Sequence, residues 1–226
     1  MEIKYLGHSC FEISDQQTSL LLDPFISGNP LATDISIHQL TPDYILITHG
    51  HQDHVLDVET VYQQCQATIV ANFEVATWFQ NKGMDRVIPM NQGGQIELGT
   101  ARIKLVNAVH SSSMPDGSYG GNPVGFVIEI GGKGLYYAGD TALHQDMKQI
   151  KQQHSQDLAI LPIGGHFTMG LEDALEAADY VGCNRVLGMH YDTFPPISID
   201  PKASKNLAES QGKDLILMQI GTFITL

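Results

Sequence analysis

The stretch His49-Gly50-His51-Gln52-Asp53-His54 decides the fold and the chemistry of this sequence. It directly follows the apolar segment Tyr44–Thr48, which predicts a buried strand. The first two histidines lie two residues apart, so in an extended chain they point the same way and can hold one metal ion together. The aspartate and the third histidine lie where the chain turns into a helix, and they point to a neighbouring place that suits a second ion. Because a hydrophobic core would leave so many polar side chains without partners, we expect a metal site here.

Three further candidate ligands lie at the ends of apolar strands elsewhere in the chain. They are His110, Asp140 and His190. Each of them alone would be an ordinary polar residue at a strand end. Together with the histidine-rich stretch they predict one shared metal centre, and their imidazole and carboxylate groups suit zinc, manganese, iron or nickel.

The rest of the sequence alternates short strands with amphipathic helices. Strands are predicted at Glu2–Leu6, Cys10–Ile13, Ser19–Leu22, Thr68–Ala71, Arg86–Met90, Gln95–Leu98, Ala101–Ala108, Val124–Ile130, Gly134–Ala138, Leu158–Leu161, Arg185–Met189, Leu215–Gln219 and Phe223–Thr225. Helices are predicted at Val55–Gln64, Asn72–Lys82 with Asn72 as N-cap, His144–Gln153, Leu171–Val181 and Pro201–Gln211. The long loop Ser111–Pro123 is rich in Ser, Gly, Pro and Asn, which is typical of a functional loop. We therefore expect an α+β fold of two sheets with helices on their outer faces, in one domain of residues 1–226.

Composition narrows the range of partners. Lysine and arginine number 12 against 25 acidic residues, so the net charge is 12 − 25 = −13. This charge argues against a nucleic-acid binder and against docking on an anionic membrane, whereas bound metal ions could still attract a small phosphorylated substrate. The cysteines Cys10, Cys65 and Cys183 are odd in number and form no C-x-x-C pair, which predicts reduced thiols in a cytoplasmic protein. We see no signal peptide and no apolar stretch as long as a membrane span.

Taken in order, the motifs resemble those of the metallo-β-lactamase fold superfamily. The resemblance rests on HGHQDH at 49–54, His110, Gly139-Asp140-Thr141 and His190. Four more motifs narrow it, namely LGHSCF at 6–11, LDPF at 22–25, PIGGHFTMG at 162–170 and MHYDTFP at 189–195. They are similar to a bacterial and archaeal family of uncharacterised metal-dependent hydrolases, akin to ascorbate-phosphate lactonases. The resemblance implies an αββα four-layer sandwich, with two mixed β-sheets flanked by helices and the metals at one edge of the sheets.

The resemblance also implies two divalent metal ions, zinc first, with manganese, iron or nickel as alternatives. One ion would take His49, His51 and His110, the other would take Asp53, His54 and His190, and Asp140 would bridge them. Two such ions can hold a bridging hydroxide that attacks an ester, lactone, thioester or phosphodiester bond. Asp53 is the expected residue for orienting this hydroxide and moving its proton. His166 could protonate the leaving group.

Other residues and activities stay open at this stage. His8 and His166 are either site residues or hydrogen-bonded structural histidines, and Asp23 either orients a ligand histidine or caps a turn. His38, His144 and His154 are interpreted as surface residues. A phosphodiesterase or nuclease, an iron-dependent oxidoreductase and a metal-binding protein without catalysis remain alternatives to the hydrolase of a small metabolite. Because the chain lacks the extra domains that wall the metal edge in related enzymes, we also expect a homo-oligomer.

Overall fold

Two mixed β-sheets form the centre of the computed structural model, which describes residues 1–226. The strands are β1 (Glu2–Gly7), β2 (Cys10–Ser14), β3 (Ser19–Leu22), β4 (Tyr44–Leu46), β5 (Thr68–Asn72), β6 (Val87–Met90), β7 (Gln95–Leu98), β8 (Ala101–Asn107), β9 (Val124–Ile130), β10 (Lys133–Tyr137), β11 (Leu158–Pro162), β12 (Arg185–Met189), β13 (Asp214–Ile216) and β14 (Phe223–Thr225). The helices are α1 (Gln52–Val55), α2 (Val58–Cys65), α3 (Phe73–Asn81), α4 (Met147–Gln153), α5 (Leu171–Val181) and α6 (Pro201–Ser210), with short 3₁₀ turns at Ile37–Gln39 and Pro195–Ile197.

The two sheets have the same plan of connections. The first has the order β14-β1-β2-β3-β4-β5-β6 and the second the order β13-β12-β11-β10-β9-β8-β7, so each contains seven strands. Strands β3 to β6 run parallel in the first sheet, and β10 to β13 run parallel in the second. Antiparallel strands complete both sheets. The carboxyl ends of neighbouring parallel strands meet at one edge, and side chains that follow such strands are brought together there.

Alternation of side chains along the strands builds the layers. In β3, Leu20 and Leu22 belong to the apolar core between the sheets, whereas Leu21 belongs to the core under the helices of the first sheet. Val61 of α2 and Phe79 of α3 are fully buried in that second core. Helices α4 and α5 cover the second sheet in the same way. The predicted αββα arrangement of two mixed sheets flanked by helices is therefore confirmed.

The predicted helix Val55–Gln64 is wrong at its beginning. A short helix occupies Gln52–Val55, and α2 starts only at Val58. The break lies at Asp57, whose backbone N–H donates to the carbonyl of Pro24 and whose carboxylate accepts from the backbone N–H of Ile26 at 2.5 Å. These bonds tie the chain to the segment after β3, which a helical pattern in the sequence does not reveal.

The predicted strand Tyr44–Thr48 is also too long, because β4 ends at Leu46. Past this point the backbone of Thr48 leaves the sheet. Its N–H donates to the carboxylate of Asp23 at 2.8 Å, and its carbonyl accepts from Val124 of the second sheet at 3.0 Å. The chain is thereby anchored to both sheets immediately before His49.

The remaining predicted elements are present, with ends that differ by a few residues. The largest such differences are at α4, which starts at Met147 instead of His144, and at β13, which ends at Ile216 instead of Gln219. Asn72 caps α3 as predicted, because its side chain accepts from the N–H of Val75 at 2.9 Å. Residues 111–123 contain no named strand or helix, which confirms the predicted loop. None of the helices has both the length and the hydrophobicity to span a lipid bilayer.

Candidate metal centre

All predicted ligand side chains meet at the common edge of the two sheets. Their ligand atoms, together with one from His8, form three groups in which every atom lies within 4.8 Å of the others. The groups are His49, His51 and His110; His49, His54 and Asp140; and His8, Asp53, His54 and His190. Each group could hold a metal ion, and the residues that they share make them parts of one centre. We refer below to His49, His51 and His110 as the first position, and to Asp53, His54 and His190 as the second.

Asp140 lies between the two positions. Its Oδ2 atom is 3.6 Å from His110 Nε2 and 4.0 Å from His49 Nε2 of the first position. The same atom is 3.1 Å from His190 Nε2 and 3.3 Å from His54 Nε2 of the second. One carboxylate oxygen therefore faces two imidazoles from each position, which is the arrangement expected of a bridging ligand.

The backbone before Asp140 explains how it reaches this place. Gly139 follows β10 with φ +63°, a left-handed conformation that glycine adopts without strain. A Cβ atom at Gly139 would lie 2.8 Å from the Thr48 side chain and 2.9 Å from the carbonyl oxygen of Val124. Glycine therefore permits both the turn and the close approach of the two sheets beside the centre.

Asp23 orients one histidine of each position. His54 Nδ1 donates to Asp23 Oδ2 at 2.8 Å, which leaves His54 Nε2 free to face the centre. Thr48 Oγ1 donates to the same carboxylate at 2.7 Å and so can accept from His49 Nδ1, 3.0 Å away. Tyr137 also donates to Asp23 Oδ2, at 2.8 Å. The buried Asp23 therefore has the orienting contacts that were one of its two sequence-based interpretations, and its hydrogen bonds set the tautomers of both histidines.

His8 is the site residue that the sequence reasoning left out of the ligand set. Its side chain is 0% exposed, with Nε2 3.2 Å from Asp53 Oδ2 and Nδ1 2.9 Å from Thr193 Oγ1. Like the other cluster members it follows an apolar strand, β1, so the pattern that found His110 and Asp140 could have found it as well. The LGHSCF motif alone left it ambiguous because a histidine in a tight turn often has only a structural role.

Burial and charge shift the pKa values of the cluster in opposite directions. Burial, reinforced by His54, lowers the pKa of His49 well below its usual value. Burial also lowers the pKa of His8 to about 4, against the opposing hydrogen bond to Asp53. For Asp140, burial would raise the pKa, but the neighbouring His190 and His54 outweigh it and keep the pKa well below the usual range. The same carboxylates raise the pKa values of His54 and His190 against the effect of burial, with Asp140 the largest charged neighbour of both. Asp140 therefore has the ionised state that metal binding requires, whereas His54 and His190 must be neutral before they can coordinate a cation.

Several donor atoms of the centre lack suitable partners within the protein, and a divalent ion would supply one. His49 Nε2 and His51 Nδ1 lie 2.9 Å apart, a close approach of two ring nitrogens that a shared cation would satisfy. The buried atoms His54 Nε2 and Asp140 Oδ1 have no hydrogen-bond partner in the protein. Unpaired buried polar atoms are costly, and a bound ion coordinated by these groups would remove that cost.

The predicted loop 111–123 lies against the HGHQDH stretch, beside the opening from the metal centre to solvent, which we call the mouth. Ser112 Oγ accepts from the N–H of Gly50 at 3.1 Å, and Ser111 Oγ lies 3.4 Å from His51 Nε2. Asn72 holds the far end of the loop, because its side chain donates to the carbonyls of Gly120 at 2.8 Å and Asn122 at 2.9 Å. The loop is therefore fixed both to the HGHQDH stretch and to helix α3.

His166 lies in a second loop beside the centre but is not drawn into the cluster. Its side chain is exposed, makes no side-chain hydrogen bond and contacts the ring of Phe167 edge-on at 4.5 Å. The loop itself is attached next to Asp140, because the N–H of Met169 donates to the carbonyl of Thr141 at 3.0 Å. His166 thus lies outside the cluster, with its ring exposed, in a loop that is hydrogen-bonded to the residue after Asp140.

The three histidines interpreted as surface residues differ among themselves. His38 is exposed as expected. His144 and His154 are half-buried, so that interpretation was wrong for both. His154 Nδ1 lies 3.1 Å from Glu129 Oε1. His144 comes just before α4 rather than inside it. Neither belongs to the groups of possible metal ligands.

Comparison with known proteins identifies the family. A model of the beta-lactamase superfamily domain matches residues 2–190. A protein of Flavobacterium johnsoniae named "UPF0173 metal-dependent hydrolase" is 49% identical over 226 residues, and the match covers 100% of both chains. A protein of Thermus thermophilus with the same family name is 44% identical over 212 residues, 94% of this chain and 93% of that one. This chain belongs to these metal-dependent hydrolases of the metallo-β-lactamase superfamily.

Solved structures agree with this membership of the metallo-β-lactamase superfamily. A metallo hydrolase of the archaeon Ignicoccus hospitalis superposes with a TM-score of 0.89 and 34% identity, covering 100% of this chain and 97% of that one. An isothiocyanate hydrolase from Delia radicum gut bacteria shares the fold, with a TM-score of 0.80, 16% identity and coverage of 100% and 99%. The resemblance inferred from the motifs is confirmed, and so is the metal-dependent hydrolase as the class of enzyme.

Proposed function

We propose that this protein holds two divalent metal ions and hydrolyses an ester, lactone or phosphoester bond of a small metabolite. The observation that carries the proposal is the position of Asp140 Oδ2, within 4.0 Å of two imidazole nitrogens from each of the two ligand sets. A single ion would use only one of those sets. The whole chain, residues 1–226, acts as one catalytic unit in this proposal.

The ligand sets divide as the family resemblance implies. The first ion would be held by His49, His51 and His110, the second by Asp53, His54 and His190, and Asp140 would serve both. Zinc suits this mixture of imidazoles and carboxylates, and manganese, iron or nickel could replace it. When bound, such ions act as Lewis acids that activate water and polarise the bond to be cleaved.

Asp53 is the residue proposed to move the proton. Its side chain is 27% exposed, whereas that of Asp140 is 3% exposed, so Asp53 is the carboxylate of the centre that faces the mouth. Burial would raise the pKa of Asp53, but His54 and His8 beside it lower the pKa below its usual value. It is therefore ionised at neutral pH, and it would accept a proton from a water whose own pKa bound metal ions have lowered.

His166 is proposed to protonate the leaving group. The support for this is its exposed ring and the attachment of its loop to Thr141, next to Asp140, which would let it approach a substrate without moving the buried ligands. A His166→Ala variant would then lose more activity on substrates with poor leaving groups than on activated aryl esters. Equal losses on both kinds of substrate would assign His166 to binding rather than to proton transfer.

The surface around the mouth favours a small polar substrate. A net charge of −13 repels a polyanionic strand, and the mouth offers hydroxyl and amide groups such as Ser111, Ser112 and Asn122 rather than lysine or arginine. Val109, Tyr119 and Phe167 are large apolar side chains that remain exposed, and each comes from a segment attached to the centre. They could contact an apolar part of the substrate or a neighbouring subunit.

The deciding experiment compares substrate classes under one set of conditions. Esters, lactones, bis-aryl phosphodiesters and single-stranded RNA are assayed in parallel with the zinc-loaded enzyme, at about 150 mM salt, where surface charges are screened over about 8 Å. We expect one of the small-substrate classes to have the highest kcat/KM. A higher value for RNA would instead favour a nuclease. An iron-loaded sample is assayed beside the zinc-loaded enzyme in air, and a product that forms only in that sample would favour an oxidoreductase.

Two further properties belong to the proposal. The three cysteines are free, and Cys10 and Cys183 are buried, as expected of a cytoplasmic protein with reduced thiols. A homo-oligomer would cover the exposed apolar side chains near the mouth and deepen it.

A further inference from the structure

The His8 ring links helix α1 to the loop after β12. It lies between Thr193, in the loop after β12, and Asp53, in helix α1. Both ring nitrogens are engaged, Nδ1 at 2.9 Å from Thr193 Oγ1 and Nε2 at 3.2 Å from Asp53 Oδ2. A ring that served only to fill space would not need a polar partner on each side.

The backbone of His8 has a conformation that costs energy. His8 has φ +55°, which is unfavourable for a residue with a Cβ atom. Its carbonyl accepts from the N–H of His190 at 3.0 Å and from the hydroxyl of Tyr5 at 3.2 Å. The turn between β1 and β2 is therefore tied to a proposed ligand of the opposite sheet.

Aromatic side chains enclose the ring. Phe25 and Phe194 contact it edge-on, with centroid distances of 5.5 and 5.6 Å, and the His190 ring lies 4.2 Å away. The imidazole is therefore enclosed on several sides, and its Nε2 faces Asp53.

Hydrogen-bond chemistry indicates what Nε2 does there. A neutral imidazole carries one proton, and the Thr193 hydroxyl can donate to Nδ1, which leaves that proton on Nε2 to donate to the carboxylate of Asp53. A protonated Nε2 has no lone pair for a metal. The second position already has Asp53, His54, His190 and Asp140, and a catalytic ion must keep one coordination position open, so a fifth protein ligand is not needed.

We propose that His8 is a positioning residue, which fixes the carboxylate of Asp53 through a Thr193–His8–Asp53 hydrogen-bond chain and does not itself bind metal. This inference rests on the proposed function of Asp53. The chain would hold Asp53 in place for the second ion and for the proton that it accepts. Partners of this kind, removed by mutation, typically change metal affinity or activity by about 10–100-fold.

The test compares four single variants, and the double variant His8→Ala with Thr193→Val, with the wild type, each checked for folding by circular dichroism and by thermal melting after chelation. His8→Ala removes the donor, His8→Gln keeps an amide donor, Thr193→Val removes the partner of Nδ1, and His38→Ala is a control at an exposed histidine outside the cluster. Zinc affinity is measured by calorimetric titration, ions per chain by elemental analysis, and coordination by the visible spectrum of the cobalt-loaded protein.

We expect His8→Ala to bind two ions per chain at saturating zinc, with an unchanged cobalt spectrum. Zinc at the second position should bind about 10–100-fold less tightly, and kcat should fall about tenfold. His8→Gln should recover most of both losses. Thr193→Val should show a smaller loss that adds little when combined with His8→Ala, because both changes break one chain. His38→Ala should match the wild type.

Two outcomes would overturn the proposal. Loss of one ion per chain in His8→Ala, or a cobalt spectrum showing fewer ligands, would make His8 a ligand. Wild-type affinity and kcat in His8→Ala would leave it a structural residue. The zinc titrations decide this even if the wild type hydrolyses no substrate, an outcome that would contradict the proposed function instead.

Discussion

At the scale of single residues, identical side chains have different roles because their surroundings differ. Asp23, Asp53 and Asp140 all lie within one small volume, yet their side chains are 0%, 27% and 3% exposed. Asp23 accepts hydrogen bonds from protein groups, Asp140 faces imidazoles on both sides, and Asp53 alone reaches the mouth. These environments suit the three carboxylates to the roles proposed for them, which are orienting a histidine, bridging two ions and accepting a proton.

Substitution of Asp53 tests the last of these roles. We expect Asp53→Ala to lose about 10²–10⁴-fold in kcat, the range typical of a missing general base, with further loss if the second ion dissociates. The fold should persist, since Asp53 is partly exposed and lies outside both hydrophobic cores. Steady-state kinetics beside a thermal melt provides the measurement, and near-wild-type turnover would remove Asp53 from the mechanism.

Asp23 gives a second prediction at this scale, directed at metal affinity. Asp23→Asn keeps the volume but weakens the acceptor for His54 and Thr48, so the tautomers of both histidines are no longer fixed. We expect zinc to bind about 10–100-fold less tightly at one or both positions. Calorimetric titration measures this, and unchanged affinity would show that the histidines are oriented by packing alone.

Most of the centre could be predicted from the sequence, and the reason is physical. His110, Asp140 and His190 each follow a buried strand, and strand ends of one layer meet at one edge. The contacts of Asp23 and His8 could not be derived in this way. Asp23 reaches His54 across 31 positions of sequence and His8 reaches Thr193 across 185, and nothing in local periodicity encodes such distances.

At the scale of the elements, short segments after the strands carry the chemistry and the strands themselves carry the stability. Strand β4 ends at Leu46, and the following residues bend towards the second sheet instead of extending the first. Helix prediction failed at Asp57 for a related reason, since the carboxylate there binds the segment after β3. Periodicity predicts where an element lies, whereas tertiary hydrogen bonds decide where it stops.

Close packing at the turn after β10 can be tested at Gly139, with Gly132 as a matched control. Gly132, in the turn between β9 and β10, has φ +75° and no atom near its missing Cβ, so Gly132→Ala should cost about 1 kcal/mol of backbone strain. Gly139→Ala adds contacts with Thr48 and the Val124 carbonyl to similar strain, and we expect at least about 1 kcal/mol more. Denaturant unfolding of both variants measures the difference, and equal losses would contradict close packing at this turn.

At the scale of the whole molecule, the proposed ions connect the two sheets. His49, His51, Asp53 and His54 belong to the segment after β4 of the first sheet, whereas His110, Asp140 and His190 follow strands of the second. The large apolar core between the sheets joins them independently of metal. Metal should therefore stabilise a fold that already exists.

This arrangement also predicts the effect of removing metal. We expect chelation to lower the Tm by about 5–10 °C without loss of secondary structure, because ligand binding stabilises the native state by mass action. The difference in Tm between the loaded and the chelated protein should shrink as pH falls through the raised pKa values of His54 and His190, since histidine must be neutral to bind metal. Scanning calorimetry across pH measures both effects, and a Tm independent of chelator would argue against metal in the purified protein.

Assembly is the remaining prediction at this scale. Phe167, Tyr119 and Val109 are 53%, 67% and 47% exposed, an apolar surface that a subunit contact would cover. We expect a dimer or larger homo-oligomer by light scattering, and Phe167→Asp should shift it towards the monomer. A wild-type monomer at micromolar concentration would refute the prediction.

The division of ligands between the sheets also has a consequence for biosynthesis. During translation the HGHQDH stretch leaves the ribosome long before Asp140 and His190. A nascent chain that has not reached residue 190 has only part of the second position, and a site that is not yet formed binds metal weakly. In the proposed arrangement, metal can therefore fill the second position only after the sheets have joined, and the growing polypeptide cannot hold a cation there early.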